Sequence, residues 1–336
     1  MTLQLDLPVP GERTPPGAGT APRPSWRARL YRWEGRSAPY VYIAPFFVLF
    51  AAFGLFPLVY TAWISLHRYK LGSSMSWVGL DNYTWLLTNP GFYNALWKTI
   101  TIGVLSTVPQ LLLALGLAHL LNYRLRGRTF LRVAMLMPYA TSVAAATLVF
   151  ALIFGRDAGV VNGLLALLGV DPVDWRNGDW TAQIAISVIV IWRWTGYNAL
   201  IYLAAMQSIP RDVYESASID GASPSRQFWS MTVPMLRPTI IFTVIISTIG
   251  GLQLFGEPLL FGGGGNPYLG GSDRQFQTVT MFLMEQFYMK TELGRAATVA
   301  WLLFIMILIF SIINFLVTGR IDSPDSKKKS KKGALR

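Results

Sequence analysis

The residues best suited to holding a polar solute sit inside long apolar runs. Trp192, Arg193, Trp194, Tyr197 and Asn198 crowd one run, and Gln253 and Glu257, with Phe255 between them, interrupt another. Side chains four apart stack on one helix face, which aligns Arg193 with Tyr197, Trp194 with Asn198, and Gln253 with Glu257. Ionisable and amide groups within a membrane span are costly, so they are functional candidates by default. Aromatic faces beside amides and a carboxylate suit a sugar, whose C–H faces pack on rings while its hydroxyls exchange hydrogen bonds. Two readings of Arg193 and Glu257 stay open: contact with a solute, or an ion pair inside the protein. At 1.5 Å per helical residue Glu257 lies roughly 10 Å farther toward one face than Arg193, so a direct pair requires the arginine to stretch.

Little else in the sequence could do chemistry. The two histidines, His67 and His119, fall in different segments, and there is no cysteine. That excludes disulfides, thiolate metal sites and thiol catalysis within the chain. Asp157, Asp171, Asp174 and Asp179 share a connection with Arg156 and Arg176. The spacing from Asp171 to Asp179 lacks the ligand order and closing glutamate of a calcium loop, which leaves a solvated loop. Gly262 to Gly265, followed by Asn266 and Pro267, lacks the lysine and hydroxyl residue of a nucleotide loop. No enzyme activity, metal site or cofactor is therefore expected of this chain itself.

The elements that must position the polar groups are membrane helices. Of 336 residues 52% are apolar and 14% charged, and the mean hydropathy is +0.40. Six stretches are long enough to span a bilayer: about Tyr40–Leu66, Leu96–Leu121, Phe130–Phe154, Thr181–Met206, Pro238–Leu260 and Ala296–Val317. The first begins too late and runs too long for a cleaved signal peptide. Pro109 and Pro138 lie within the second and third, where neighbouring helices can satisfy the freed backbone groups.

Six crossings put both termini on one side. The leader, the second-to-third connection (Arg124, Arg126, Arg128), the segment with Arg211, Arg226 and Arg237, and the tail hold nineteen Lys and Arg, against seven in the three opposite loops. The positive-inside rule places the richer side in the cytoplasm. The net charge of +12 thus sits at the cytoplasmic margin, where anionic lipid attracts it, and does not point to nucleic acid. Residues 1–39 read as a cytoplasmic leader, disordered to about Pro24, with a short interfacial helix at Trp26–Trp33. Residues 40–318 form the membrane domain, and 319–336 a basic cytoplasmic tail.

Between the fourth and fifth spans, residues 209–238 form a polar segment too short to cross. Pro210 can open a helix, Gly221 can close it, and Ser223–Pro224 is an N-cap and first-position pair for a second short helix that Pro234 and Pro238 limit. Within it Glu215, Ala217, Asp220, Gly221, Ala222, Phe228 and Pro234 stand at the spacing E-x-A-x-x-D-G-A-x5-F-x5-P. This pattern resembles the cytoplasmic coupling loop, the "EAA" loop, of membrane subunits in bacterial binding-protein-dependent ABC importers. Ser216 replaces the first alanine of that motif, a small-for-small change. Ile209, Pro210, Tyr214 and Pro234–Pro238 resemble the carbohydrate-uptake branch, as does Gly79-Leu80-Asp81-Asn82-Tyr83 between the first two spans. The likeness runs from about Tyr40 to Val317.

The resemblance implies an all-α integral membrane protein with six transmembrane helices, the type I ABC importer permease fold, in the bacterial cytoplasmic membrane. It implies a permease subunit moving a sugar, a di- or oligosaccharide by the look of Gly250–Pro258. The implied partners are a second homologous permease subunit, two ATP-binding subunits that carry ATP and magnesium, an extracytoplasmic solute-binding protein and membrane lipid. In that family Glu215 makes a polar contact with the ATPase, and Gly221 makes the turn that lets the loop insert. An ion-coupled secondary transporter of a small polar solute is the alternative; it would normally show mid-membrane acidic residues and internal repeats.

Overall fold

The computed structural model describes residues 26–123, 126–262 and 265–321, which are mostly helical. The predicted disorder before Pro24, the lysines of the tail, Arg124, Gly263 and Gly264 lie outside the described residues. The chain divides into two units, Met1–Val59 and Tyr60–Arg336. In the first, α1 (Trp26–Phe50) passes through one wide π turn, Ala51–Leu55, into α2 (Phe56–Ser65). Trp26–Trp33 is helical and forms the start of α1. The wide turn precedes Pro57, whose missing N–H removes one rung of the helical ladder.

The division falls within α2, and beyond it the second unit has a two-stranded antiparallel pair, β1 (His67–Arg68) and β2 (Ser76–Trp77). Then follow α3 (Asp81–Thr88), α4 (Pro90–Asn122), α5 (Arg128–Ala140), α6 (Val143–Ile153), α7 (Val160–Leu167) and α8 (Asp179–Gln207). Next come α9 (Arg211–Ile219), α10 (Pro224–Gln227), α11 (Val233–Met235), α12 (Arg237–Leu252), α13 (Gly256–Phe261), α14 (Val279–Met284) and α15 (Leu293–Ile321). Among the described residues four helices are long and apolar enough to cross a membrane: Ala38–Ser65, Pro90–Asn122, Asp179–Gln207 and Leu293–Asn314. Two bent pairs, α5 with α6 and the α10–α11 stretch with α12, raise the number to six if each is one span.

Two spans differ from the unbroken helices read from sequence. The third, expected over Phe130–Phe154, turns through 91° between Ala140 and Val143. Thr141 donates both its N–H and its hydroxyl to the Met137 carbonyl, and Ser142 takes an extended ψ of 135°, so the ladder stops. The fifth, expected over Pro238–Leu260, ends as a helix at Leu252 and resumes at Gly256 after an irregular Gln253–Phe255. A hydropathy window averages over either break, because the few polar residues there, Thr141, Ser142 and Gln253, are flanked by long apolar runs.

The scaffold is the pair α4 and α8. Lys98 on α4 is buried and paired with Asp179 on α8. One turn on, Thr101 donates to the side chain of the fully buried Gln183. Around this polar seam, Ile102, Ile186, Ile189, Phe261 and Phe276 fill one end of the core. At the other end Ala114, Ala118 and Leu121 of α4 meet Tyr202, Leu203 and Met206 of α8. α5 crosses α8 closely at Gly196, where an added Cβ would lie 1.8 Å from the Met135 carbonyl oxygen. Between the first two spans, Asn82 donates to the Ser65 and His67 carbonyls at 2.9 Å, capping the end of the first.

Candidate functional site

Two sites hang on α4 and α8, one at their inner ends and one midway. The first is the hairpin from α9 to α11. α9 starts after Pro210 and closes in a Schellman turn: Gly221 N–H donates to Ser218 O at 3.1 Å and Ala222 N–H to Ala217 O at 2.9 Å. Gly221 has φ +77°, the left-handed region that a side chain disfavours. Nothing would touch its Cβ, so the need for glycine is conformational alone. Ser223 then caps α10, accepting from Arg226 N–H, with Pro224 at the first position.

Side-chain bonds hold the two arms together. Gln227 donates to the Ser218 hydroxyl and the Ala222 carbonyl, each at 3.0 Å, and the Tyr214 and Thr232 hydroxyls meet at 3.0 Å. Phe228 is buried among the inner-end residues of α4 and α8, its ring 4.2 Å from that of His119. The segment Phe228–Thr232 widens into a π turn just before Pro234, which has no N–H to donate. Of the seven motif residues, Ala217 and Phe228 are buried inward, Ala222 is half-buried at the turn, and Glu215, Asp220, Gly221 and Pro234 are exposed. Ile219 and Trp229, 86% and 62% exposed, flank them on the free surface. The sequence reading passed over both, although two large apolar residues in a polar segment were the visible signal.

The second site is a cavity of about 290 Å³ among α4, α6, α8, α12 and α13. Trp194, Arg193, Gln253 and Glu257 line it. Tyr197 and Asn198 lie outside its lining. Tyr197 stacks on Tyr139 at 4.7 Å, and the buried Asn198 donates to the Trp194 carbonyl. Arg193 and Glu257 form a direct ion pair, NH1 to Oε1 at 2.6 Å, both side chains more than nine-tenths buried. The 10 Å offset does not apply, because the chain stops climbing helically at Gln253–Phe255 and α13 brings Glu257 back to the arginine.

Further polar groups come from residues not singled out in the sequence. Gln110 of α4 donates to the Ser247 hydroxyl of α12 at 3.3 Å, with Ser106 and Thr107 beside them. An amide next to Pro109 inside a span was the available signal for Gln110. Val143, delivered by the bend in the third span, closes one wall. A larger cavity of about 580 Å³ among α4, α12 and α15 is lined mainly by residues such as Val104, Val108, Ile309 and Ile313. It offers few polar groups to orient a hydrophilic solute, so the smaller cavity is the better candidate.

Residues 110–323 match the family described as "Binding-protein-dependent transport system inner membrane component". The chain belongs to that family. It is 34% identical over 93% of its length to the arabinooligosaccharides transport system permease protein AraP of Bacillus subtilis (strain 168), covering 97% of that protein. It is 34% identical to the lactose transport system permease protein LacF of Rhizobium radiobacter, over 82% of this chain and 92% of that one. In fold it is similar to a chain of a bacterial ABC transporter involved in the import of the acidic polysaccharide alginate: TM-score 0.76, 21% identity, 88% of this chain and 100% of that chain covered. An all-helical, multi-pass inner-membrane permease is therefore the architecture, and the ion-coupled alternative falls away.

Proposed function

We propose that this permease subunit conducts a di- or oligosaccharide through an ATP-driven importer, with the 290 Å³ cavity as its part of the sugar path. The observation that carries the reading is mechanical. The α4–α8 pair that seats Phe228 of the hairpin also forms walls of the cavity, so a push on the hairpin is a push on the cavity. Trp194 and Phe255 supply ring faces, and Gln110, Ser247 and Gln253 supply hydrogen-bonding groups, the combination a sugar uses. The sugar named for AraP and LacF supports the same class.

In this reading the hairpin docks on an ATP-hydrolysing subunit through Glu215, Asp220, Ile219 and Trp229. ATP and magnesium belong to that partner, and a second permease subunit and an external binding protein complete the importer. Both termini lie in the cytoplasm, as the charge asymmetry supports. Binding of ATP shifts inward and outward access only through contacts that differ between the two states.

The test is co-purification from mild detergent followed by uptake in proteoliposomes. An ATPase should come down with the wild-type chain and be lost with Gly221→Val, while Trp194→Ala and Gln110→Ala should assemble normally and import sugar more slowly. Full ATPase recovery with Gly221→Val, or undiminished uptake in both cavity variants, would overturn the respective half.

A further inference from the structure

Net charge is the one property of the solute on which the fold is silent, since a chain of the same fold serves an acidic polysaccharide. The cavity wall here is not silent. Among the described residues Arg193 and Glu257 are the only ionisable ones lining it; they form an ion pair, Nη1 to Oε1 at 2.6 Å, with both side chains more than nine-tenths buried and Arg193 Nε left without a hydrogen-bond partner. Everything else in the wall is amide, hydroxyl, aromatic or aliphatic. The nearest seam of charge, Lys98 with Asp179 between α4 and α8, is likewise paired.

Resting on the carbohydrate assignment of this cavity, we infer that the wall admits uncharged solutes and disfavours anionic ones, and that Glu257 sets this preference by neutralising Arg193. An anion entering the cavity gives up its hydration and finds the guanidinium charge already balanced by a carboxylate at close range. Uncompensated burial of that kind is heavily penalised, whereas a neutral sugar meets only dipoles it can pair with. Removing Glu257 while keeping Arg193 converts the wall into a cationic one.

Lactose and its aldonic acid lactobionate, which share the galactosyl ring and differ by a carboxylate at C1 and the opened glucose ring it brings, are the probes, and the change in their ratio between wild type and variants isolates the charge. Each is titrated, up to about 0.1 M because such sites can be weak, into the assembled permease–ATPase complex without binding protein. The signal is the tryptophan fluorescence change that is present in wild type and absent in Trp194→Phe. The wild type should bind lactose on the order of tenfold more tightly than lactobionate, and Glu257→Gln should bring the ratio to unity or invert it. The double variant Arg193→Gln with Glu257→Gln, which leaves no buried charge unpaired, should restore the preference for lactose. Equal binding of the two probes by wild type, or an unchanged ratio in an assembled Glu257→Gln complex, overturns the charge rule and leaves the sugar site standing. Failure of lactose to bind at all overturns the sugar site itself. Should Glu257→Gln fail to assemble, the wild-type ratio and the double variant decide.

Discussion

At the scale of single residues, two positions carry requirements that only their own chemistry meets. Gly221 is needed for a left-handed backbone, not for space. Gly221→Val should destabilise the turn by about 1–2 kcal/mol, whereas Gly221→Asn, which tolerates that region, should retain most uptake. Equal losses in the two variants would mean the side chain, not the backbone, matters there. Glu257→Ala would strand a buried guanidinium at an expected cost of about 3–5 kcal/mol, read as a lowered thermal midpoint of the purified complex. The sequence left both a solute contact and an ion pair open for Arg193 and Glu257, and the offset of about 10 Å that counted against the pair presumed a helix, rising 1.5 Å per residue, that Gln253–Phe255 interrupts.

At the scale of elements, the hairpin was legible almost residue by residue. Proline, glycine and a capping serine announce helix ends locally, and Ser223, Pro224 and Gly221 each stand where that chemistry demands. The break in the third span was not legible, since Thr141 and Ser142 are unremarkable in an apolar run and their effect depends on α6 packing beside α13. Phe228 fastens the hairpin to α4 and α8, so Phe228→Ala should loosen it by about 3–5 kcal/mol. ATP hydrolysis measured in the complex should then continue while sugar uptake per ATP falls; a parallel fall in both would indicate simple loss of assembly.

The connection before α15 gives a pH prediction. Burial pushes the Glu285 carboxyl up, but hydrogen bonds from Arg274 and Gln277, the Arg274 charge and the Lys290 contact outweigh it and hold it below the ordinary range. A carboxylate depressed in the folded state contributes stability above its unfolded value of about 4.3, and that contribution disappears as pH falls through the lower folded value. Amide protection factors around Val279–Met289, which correct for the intrinsic pH dependence of exchange, should thus stay high from neutrality to about pH 5 and fall only in stronger acid. Glu285→Gln should exchange rapidly at every pH.

For the whole molecule, orientation rests on the uneven placement of lysine and arginine. The lack of native cysteine makes it directly measurable. Trp229→Cys should react with an impermeant maleimide only when the cytoplasmic face is open to reagent, and Asp171→Cys only from the opposite face. Labelling in the reverse sense would dismantle the topology and the motor contact with it.

The hairpin's hydrogen bonds are almost wholly internal, running Tyr214 to Thr232, Gln227 to Ser218 and Ala222, and Ala222 back to Ala217. With the coupling role proposed for it, such a self-contained piece would be an interchangeable adaptor. Grafted with its phenylalanine seat onto another permease, it should redirect that permease to a different engine without altering its cargo.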